Sequence, residues 1–145
     1  MPRHIIRRIH GIAAFIALMC IVTFWLSTVI VEMFFSYHAV AALKLGILYA
    51  FAVLVSAIMA TGATGMKLGG KSSTPSIAAK RKRMPFIAAN GLLVLIPCAV
   101  FLSQRASAGV FDDVFYAVQA LELLAGAVNI TLMTRSIRDG LGARP

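Results

Sequence analysis

The sequence has few charged residues, and this scarcity limits the class of protein it can encode. Only 13% of the 145 residues are charged, whereas 60% are hydrophobic. A soluble domain of this size buries about two-thirds of its surface, so it cannot hide so many apolar side chains. The composition therefore argues against an ordinary soluble domain and indicates a protein whose main solvent is lipid.

The motifs of several common chemistries are also absent from the sequence. There are two cysteines, Cys20 and Cys98, but no CxxC pair, zinc-ligand pattern or Walker phosphate-binding loop. No serine, histidine and carboxylate share one predicted depth, so nothing supports a hydrolase. Both cysteines fall within apolar runs, where we expect small buried hydrophobes rather than a structural disulfide.

Acidic residues are scarce as well, which gives the chain a net charge of +9. In a soluble protein this excess would suggest nucleic-acid binding, for which a basic patch should spread over one folded face. Here nearly every Lys and Arg lies in one of three short segments between apolar runs. This pattern is typical of membrane topology, so the expected partner is the lipid bilayer and not nucleic acid.

Four apolar stretches are long enough to cross a membrane, which requires about 20 residues of helix. They predict an all-α integral membrane protein, an antiparallel four-transmembrane-helix bundle that forms one membrane domain over residues 1–145. The predicted spans cover about 9–33, 42–66, 84–104 and 113–136.

The basic residues predict the direction of these spans. On an up-and-down path, one side receives Arg3, Arg7, Arg8, Lys67, Lys71, Lys80, Arg81, Lys82, Arg83, Arg135, Arg138 and Arg144. That side is expected to be the cytoplasm, because cytoplasmic loops are rich in Lys and Arg. Both termini and the basic loop 67–83 are therefore predicted to be cytoplasmic, in a bacterial inner membrane.

A polar stripe marks the fourth span. Its members are spaced three or four residues apart and so share one helix face, which we predict avoids lipid: Gln119, Glu122, Gly126, Asn129 and Met133. Gly126 lacks a side chain, so another backbone or a flat ligand can approach it closely.

Depth suggests partners for this stripe. Asn90 and Asn129 lie at comparable distances from the cytoplasmic side, so their amides are predicted to hydrogen-bond. Lys44 is near the level of Gln119 and less than two turns from Glu122, and a buried Lys44–Glu122 pair is one interpretation. The other has Lys44 reaching to the outer surface and Glu122 protonated or facing a second subunit.

Two histidines have similar surroundings and are candidate ligands for a haem iron. His10 precedes Ala14 and His38 precedes Ala42 by one helical turn, which places a methyl-sized side chain beside each imidazole. A porphyrin could rest on such a surface while the imidazole reaches its iron. A histidine at a membrane interface is also common without any ligand, where it anchors or hydrogen-bonds.

The predicted topology separates the two histidines by a full membrane thickness, so they cannot share one iron or metal ion within a chain. A second ligand for His10 would come from the same residue of another subunit, or from Met66 or Met133 at the same level. A haem with no sixth ligand is also compatible with the sequence.

Three segments resemble a family of small bacterial four-helix inner-membrane proteins associated with haem: Arg83–Gly91, Gln119–Asn129 and Ile137–Gly140. In general design the chain is also similar to membrane haem-oxygenase-like and cytochrome b561-like proteins. The resemblance implies haem b held by helix histidines. It departs from the cytochrome pattern, which pairs four helix histidines by depth, because this chain has one candidate on each side and needs an oligomer to complete bis-histidine sites.

Three functions follow as hypotheses. The first is a haem-binding inner-membrane protein, with a redox or haem-handling role, that uses His10 and His38. The second is a small dimeric proton-coupled transporter in which Glu122 exchanges a proton. The third is an accessory subunit whose stripe around Gly126 docks a larger membrane partner. The expected assembly of the bundle is a homodimer, and a larger membrane partner is an alternative.

Overall fold

The computed structural model describes residues 2–69 and 75–142, and the regular structure within them is helical. A π-helical segment, Gly91–Leu95, joins the third helix to the fourth. The helices are α1 Arg3–Phe34, α2 Tyr37–Gly69, α3 Pro75–Asn90, α4 Ile96–Ser107 and α5 Asp113–Gly142.

Four stretches of helix in the described residues are long and apolar enough to span a membrane, which confirms a multi-pass membrane protein as the coarse fold. Helices α1, α2 and α5 each supply one span, and α3, the π-helical segment and α4 together supply another, Ile77–Ser107. Large apolar side chains such as Phe15, Tyr49, Leu93 and Leu124 are more than half exposed, as expected for side chains that face lipid.

The helices extend beyond the apolar runs that predicted them. α2 continues to Gly69 and α3 already begins at Pro75. Most of the predicted basic loop 67–83 is therefore helical, and its residues 70–74 lie outside the described residues. A hydropathy pattern reports only the part of a helix that needs lipid, so it misses polar turns at either end.

The π-helical segment interrupts the third span next to a proline. The N–H of Ile96 bonds to the carbonyl of Gly91, five residues earlier. Pro97 follows immediately and has no N–H to continue the regular ladder, and its ring would meet the carbonyl four residues before it. The wider π turn accommodates this proline and adds one residue to the turn.

Contacts between helix ends define two ends of the molecule. At the basic end, where α1 and α3 begin and α5 finishes, Arg83 pairs with Asp139 at 2.6 Å. At the turn end, the α1–α2 and α4–α5 connections meet through the stacked rings of Tyr37 and Phe111, 4.4 Å apart. Gly109, with φ of 70°, allows the tight α4–α5 connection because it has no Cβ.

Two apolar clusters fill the interior between these ends. The central cluster is made by Ala17, Ile21, Leu54, Ala57, Ile87 and Met133. The second lies nearer the turn end and is made by Val40, Leu102, Ala106 and Phe115. Polar side chains occur above and below the central cluster, and they form the sites described next.

Candidate functional site

A buried ion pair joins α2 to α5. Lys44 Nζ lies 2.6 Å from Glu122 Oε2, and the two side chains are only 1% and 12% exposed. Of the two interpretations that the sequence left open, the structure contains the pair. Each charge is costly to bury alone and is compensated here by the other, so removing either partner leaves an unpaired charge in an apolar setting.

Two further polar side chains surround this pair and complete the Glu122 cluster, which consists of Glu32, Lys44, Gln119 and Glu122. Glu32 is half-buried near the end of α1, close enough to be attracted by Lys44 and repelled by Glu122. Its Oε1 and both amide atoms of Gln119 are buried without a hydrogen-bond partner among the described residues. Buried polar atoms normally have partners, so these mark a place for water or a polar ligand.

A cavity of about 40 Å³ adjoins Glu122 inside the helix bundle. Its walls are mainly apolar, with Phe51, Leu54 and Leu95 facing Glu122 and the hydroxyl-bearing Thr28. One water needs roughly 10 to 15 Å³ of such volume, so this Glu122 cavity has room for a few waters. Its size suits a hydrated proton pathway.

The predicted close approach at Gly126 is made by an indole ring. A Cβ added to Gly126 would lie 3.1 Å from Trp25 Cδ1, so any larger residue would require the indole ring to shift by a few tenths of an ångström. Trp25 Nε1 donates a hydrogen bond of 2.9 Å to the carbonyl of Leu123, one residue after Glu122. The flat group at Gly126 is thus part of the chain itself, and sequence patterns gave no signal for Trp25.

The predicted contact between Asn90 and Asn129 is present. Asn90 Nδ2 donates to Asn129 Oδ1 at 2.9 Å and to the carbonyl of Ala125 at 2.8 Å. Asn129 is fully buried, and its own Nδ2 lies 3.4 Å from the carbonyl of Ile87. These bonds tie α3 to α5 directly before the π-helical segment, which suits a structural role.

A second set of polar residues, the Lys80 cluster, lies at the basic end and consists of His10, Lys80, Arg83, Ser136 and Asp139. Lys80 Nζ lies 3.0 Å from His10 Nε2, and an ammonium group can only donate, so Nε2 accepts. His10 Nδ1 then carries the ring proton, which it donates toward two oxygens of α2, each 3.1 Å away: the Thr61 carbonyl and Thr64 Oγ1. This bonding pattern assigns His10 as a neutral imidazole.

A second cavity of about 40 Å³ opens beside Lys80. It is lined by Ala14, which the sequence placed next to His10, and by the polar side chains of Thr61, Lys80 and Ser136. Ser136 is 4% exposed, and its Oγ has no partner among the described residues. The sequence pointed to neither Lys80 nor Ser136, because Lys80 falls in the predicted loop and one serine in an apolar helix carries no distinctive pattern.

The central apolar cluster separates the two cavities. Ala17, Ile87 and Met133 line the Lys80 cavity, whereas Ile21 and Leu54 line the Glu122 cavity. The molecule therefore has a cavity with polar side chains toward each end and an apolar barrier between them, with the Asn90–Asn129 contact beside that barrier.

The two histidines, which the sequence proposed as haem ligands, differ in their surroundings. Both ring nitrogens of His10 are engaged by the protein, whereas His38 and Ala42 are exposed near the turn end. Each cavity has a volume of about 40 Å³, which is room for a few waters. Within residues 2–69 and 75–142, no group of three His, Cys, Asp or Glu side chains could hold a metal ion. Ligation of haem b by these residues stays a prediction from sequence.

Comparison with known proteins does not test the resemblance to haem-associated membrane proteins, which stays a prediction. No protein-family model, no curated protein and no solved structure matches this chain.

Proposed function

We propose that this protein is a proton-coupled membrane transporter in which Lys44 and Glu122 form the proton-coupling pair. One observation carries the proposal: a lysine that is 1% exposed bonds at 2.6 Å to a carboxylate that lines a cavity with room for a few waters. Ionisable residues within membrane helices are expensive, and they commonly mark proton or ion pathways.

The coupling step follows from the charges around Lys44. While Glu122 is ionised, it neutralises Lys44 directly. A proton added to Glu122 removes that attraction, and Glu32 is then the nearby carboxylate that attracts the ammonium group. Protonation thus favours a second arrangement of Lys44, and a transporter needs such an exchange between two discrete states.

Access to this pair is proposed from the turn end. At a rise of about 1.5 Å per residue, Gln119 lies about 9 Å and Glu122 about 13 Å along α5 from its start. Glu32 is nearer the surface, at the end of α1. These side chains form a descending series of polar groups, and the central apolar cluster prevents a continuous leak to the other cavity.

The membrane orientation belongs to the same proposal. Lys and Arg are concentrated at the basic end, so this end faces the cytoplasm and both termini lie there. The four spans then run antiparallel across a bacterial inner membrane. Both cavities are formed within one chain, so the transport step does not require a second subunit. A homodimer is still the expectation from the sequence.

Glu122→Gln tests the proposal most directly, because the amide keeps the shape of the side chain and cannot exchange a proton. Purified protein is reconstituted into vesicles containing a pH-sensitive dye, and a pH gradient is imposed. Wild type should collapse the gradient faster than empty vesicles, and Glu122→Gln should reduce the protein-dependent rate by about tenfold or more.

Asp112→Asn is the matched control, since Asp112 is exposed and pairs with Arg105 in the α4–α5 connection. Its rate should equal that of wild type. Equal rates for Glu122→Gln and wild type would contradict the proposal. So would a Soret band in purified protein that His10→Ala removes, which would support the haem prediction instead.

A further inference from the structure

We propose that the Lys80 cavity is a binding site for a small monovalent anion. The first support is the charge of the surrounding segments. Ten basic residues of the described helices belong to the basic end, and Asp139 is the only carboxylate there. Such an imbalance creates a positive potential that attracts anions into a cavity with apolar walls.

The charges within the Lys80 cluster indicate the valence of the anion. Arg83 bonds to Asp139 at 2.6 Å, which balances one cation with one carboxylate, although Asp139 also attracts Lys80. His10 is neutral in its observed bonding pattern. Two cations and one carboxylate leave a net charge of +1, which one monovalent anion neutralises.

A hydrogen-bond donor for this anion is already in place. The Ser136 hydroxyl is buried, lines the cavity and has no partner among the described residues. The Thr61 hydroxyl, by contrast, donates to the carbonyl of Ala57 at 2.7 Å. Lys80 has three N–H donors, of which His10 accepts one. Ser136 and Lys80 therefore supply the two donors that an anion in this cavity would meet.

The cavity limits the anion to a few atoms. Its volume of about 40 Å³ is that of a few waters, which suits chloride or a planar anion such as nitrate better than the much larger gluconate. Apolar walls penalise strongly hydrated divalent anions more than monovalent ones. These walls come from Ala14, Ala17, Ile58, Met84, Ile87, Met133 and Ile137.

This site is separate from the Glu122 cluster, so anion binding does not depend on the proposed transport. If both hold, an anion at Lys80 and a proton at Glu122 would move together without net charge. The substrate class of the transporter would then be small inorganic anions.

Thermal unfolding of the full chain in a neutral detergent tests the site. The protein is kept in sodium gluconate, and sodium chloride or sodium nitrate replaces it stepwise at constant ionic strength. A ligand that binds only the folded state raises Tm with its concentration. Chloride and nitrate do not stabilise proteins in general as sulfate does, so a rise in Tm with either salt reports binding at a site. We expect this rise to saturate as the site fills.

Three variants locate the effect. Ser136→Ala removes only an unpartnered hydroxyl, so the fold should persist while the apparent Kd for chloride rises about tenfold or more. Lys80→Met should abolish the chloride dependence. Lys82→Met is the control, because Lys82 is exposed on the same helix and should respond as wild type does.

The proposal is overturned if wild type shows no saturable rise, or if Ser136→Ala keeps the wild-type Kd. It is also overturned if only added micelles of an anionic lipid raise Tm, since the bound phosphate would then belong to a headgroup at the surface. Should Lys80→Met fail to fold, Ser136→Ala decides the result alone. The dye assay of Glu122→Gln uses a different readout, so failure of transport and failure of anion binding are distinguishable.

Discussion

Lys44 shows how much of the architecture depends on one buried charge. Its ammonium group is 1% exposed and compensated by Glu122. In Lys44→Met the Glu122 carboxylate stays buried but no longer has a cation beside it. We expect the free energy of unfolding in detergent to fall by about 3–5 kcal/mol, the usual penalty for breaking a buried pair.

The double variant Lys44→Met with Glu122→Leu tests the reason for that loss. With both charges replaced by apolar side chains of similar volume, no unpaired charge remains, and stability should return to within about 2 kcal/mol of wild type. A double variant as unstable as Lys44→Met would show that the loss came from packing rather than charge. Chemical unfolding of the three variants in one detergent measures both quantities.

Some of these contacts could be predicted from the sequence. A polar side chain is costly to bury in a membrane, so it needs a polar partner at a similar depth in the predicted bundle. Lys44 and Glu122 are ionisable residues in apolar runs at similar depth, and the Asn90–Asn129 contact follows from the same argument. The Lys80–His10 contact could not be predicted, since Lys80 belonged to a segment expected to be a loop. Trp25 against Gly126 was equally hidden, because the rotation of α1 about its axis has no separate sequence signal.

The sequence predicted the number of membrane spans but underestimated their length. The third span was expected over 84–104, whereas helix in the structure runs from Pro75 to Ser107 through a π-helical segment. Hydropathy detects neither the polar turns before Met84 nor the extra residue in the π turn. The extra residue of the π-helical segment rotates the side chains after it relative to those before it. Counting residues across the third span therefore gives the wrong depth and the wrong helix face for residues beyond that segment.

The connection between α4 and α5 has its own electrostatic support. Asp112 Oδ1 accepts a hydrogen bond of 2.9 Å from the N–H of Phe115 and so caps α5. The hydrogen bond from Arg105, together with that from Phe115, holds the pKa of the Asp112 carboxyl below its usual value of 3.8. Since the folded-state pKa is lowered, Asp112 stabilises the fold above about pH 3.8, and this contribution is lost as the pH falls through the lowered pKa.

Asp112→Asn checks this pH dependence, because the amide can still cap the helix but carries no charge. Wild type should be more stable than Asp112→Asn at neutral pH, and the difference should shrink as the solution is acidified below pH 3.8. The measurement is the melting temperature of both proteins across that range in one detergent. If the difference in melting temperature between the two proteins stays constant with pH, the charge of the Asp112 carboxylate does not contribute to stability through Arg105.

The uneven distribution of basic residues between the two ends of the molecule makes its membrane orientation testable. His4 lies at the basic end, and Ala108 is exposed in the connection at the turn end. In a background of Cys20→Ala and Cys98→Ala, we expect a membrane-impermeant thiol reagent added to intact cells to label Ala108→Cys and not His4→Cys. Permeabilised cells should label both, and labelling of His4→Cys alone in intact cells would reverse the proposed orientation.

The position of Trp25 gives the molecule a natural optical probe. It is the only tryptophan in the chain, its ring covers Gly126, and its N–H holds the carbonyl next to Glu122. Indole emission shifts with the polarity and hydration of its surroundings. Fluorescence of the unlabelled protein therefore reports on a single place, the contact between α1 and α5 beside the Glu122 cavity, and any proton-driven rearrangement there can be followed in real time without attaching a dye.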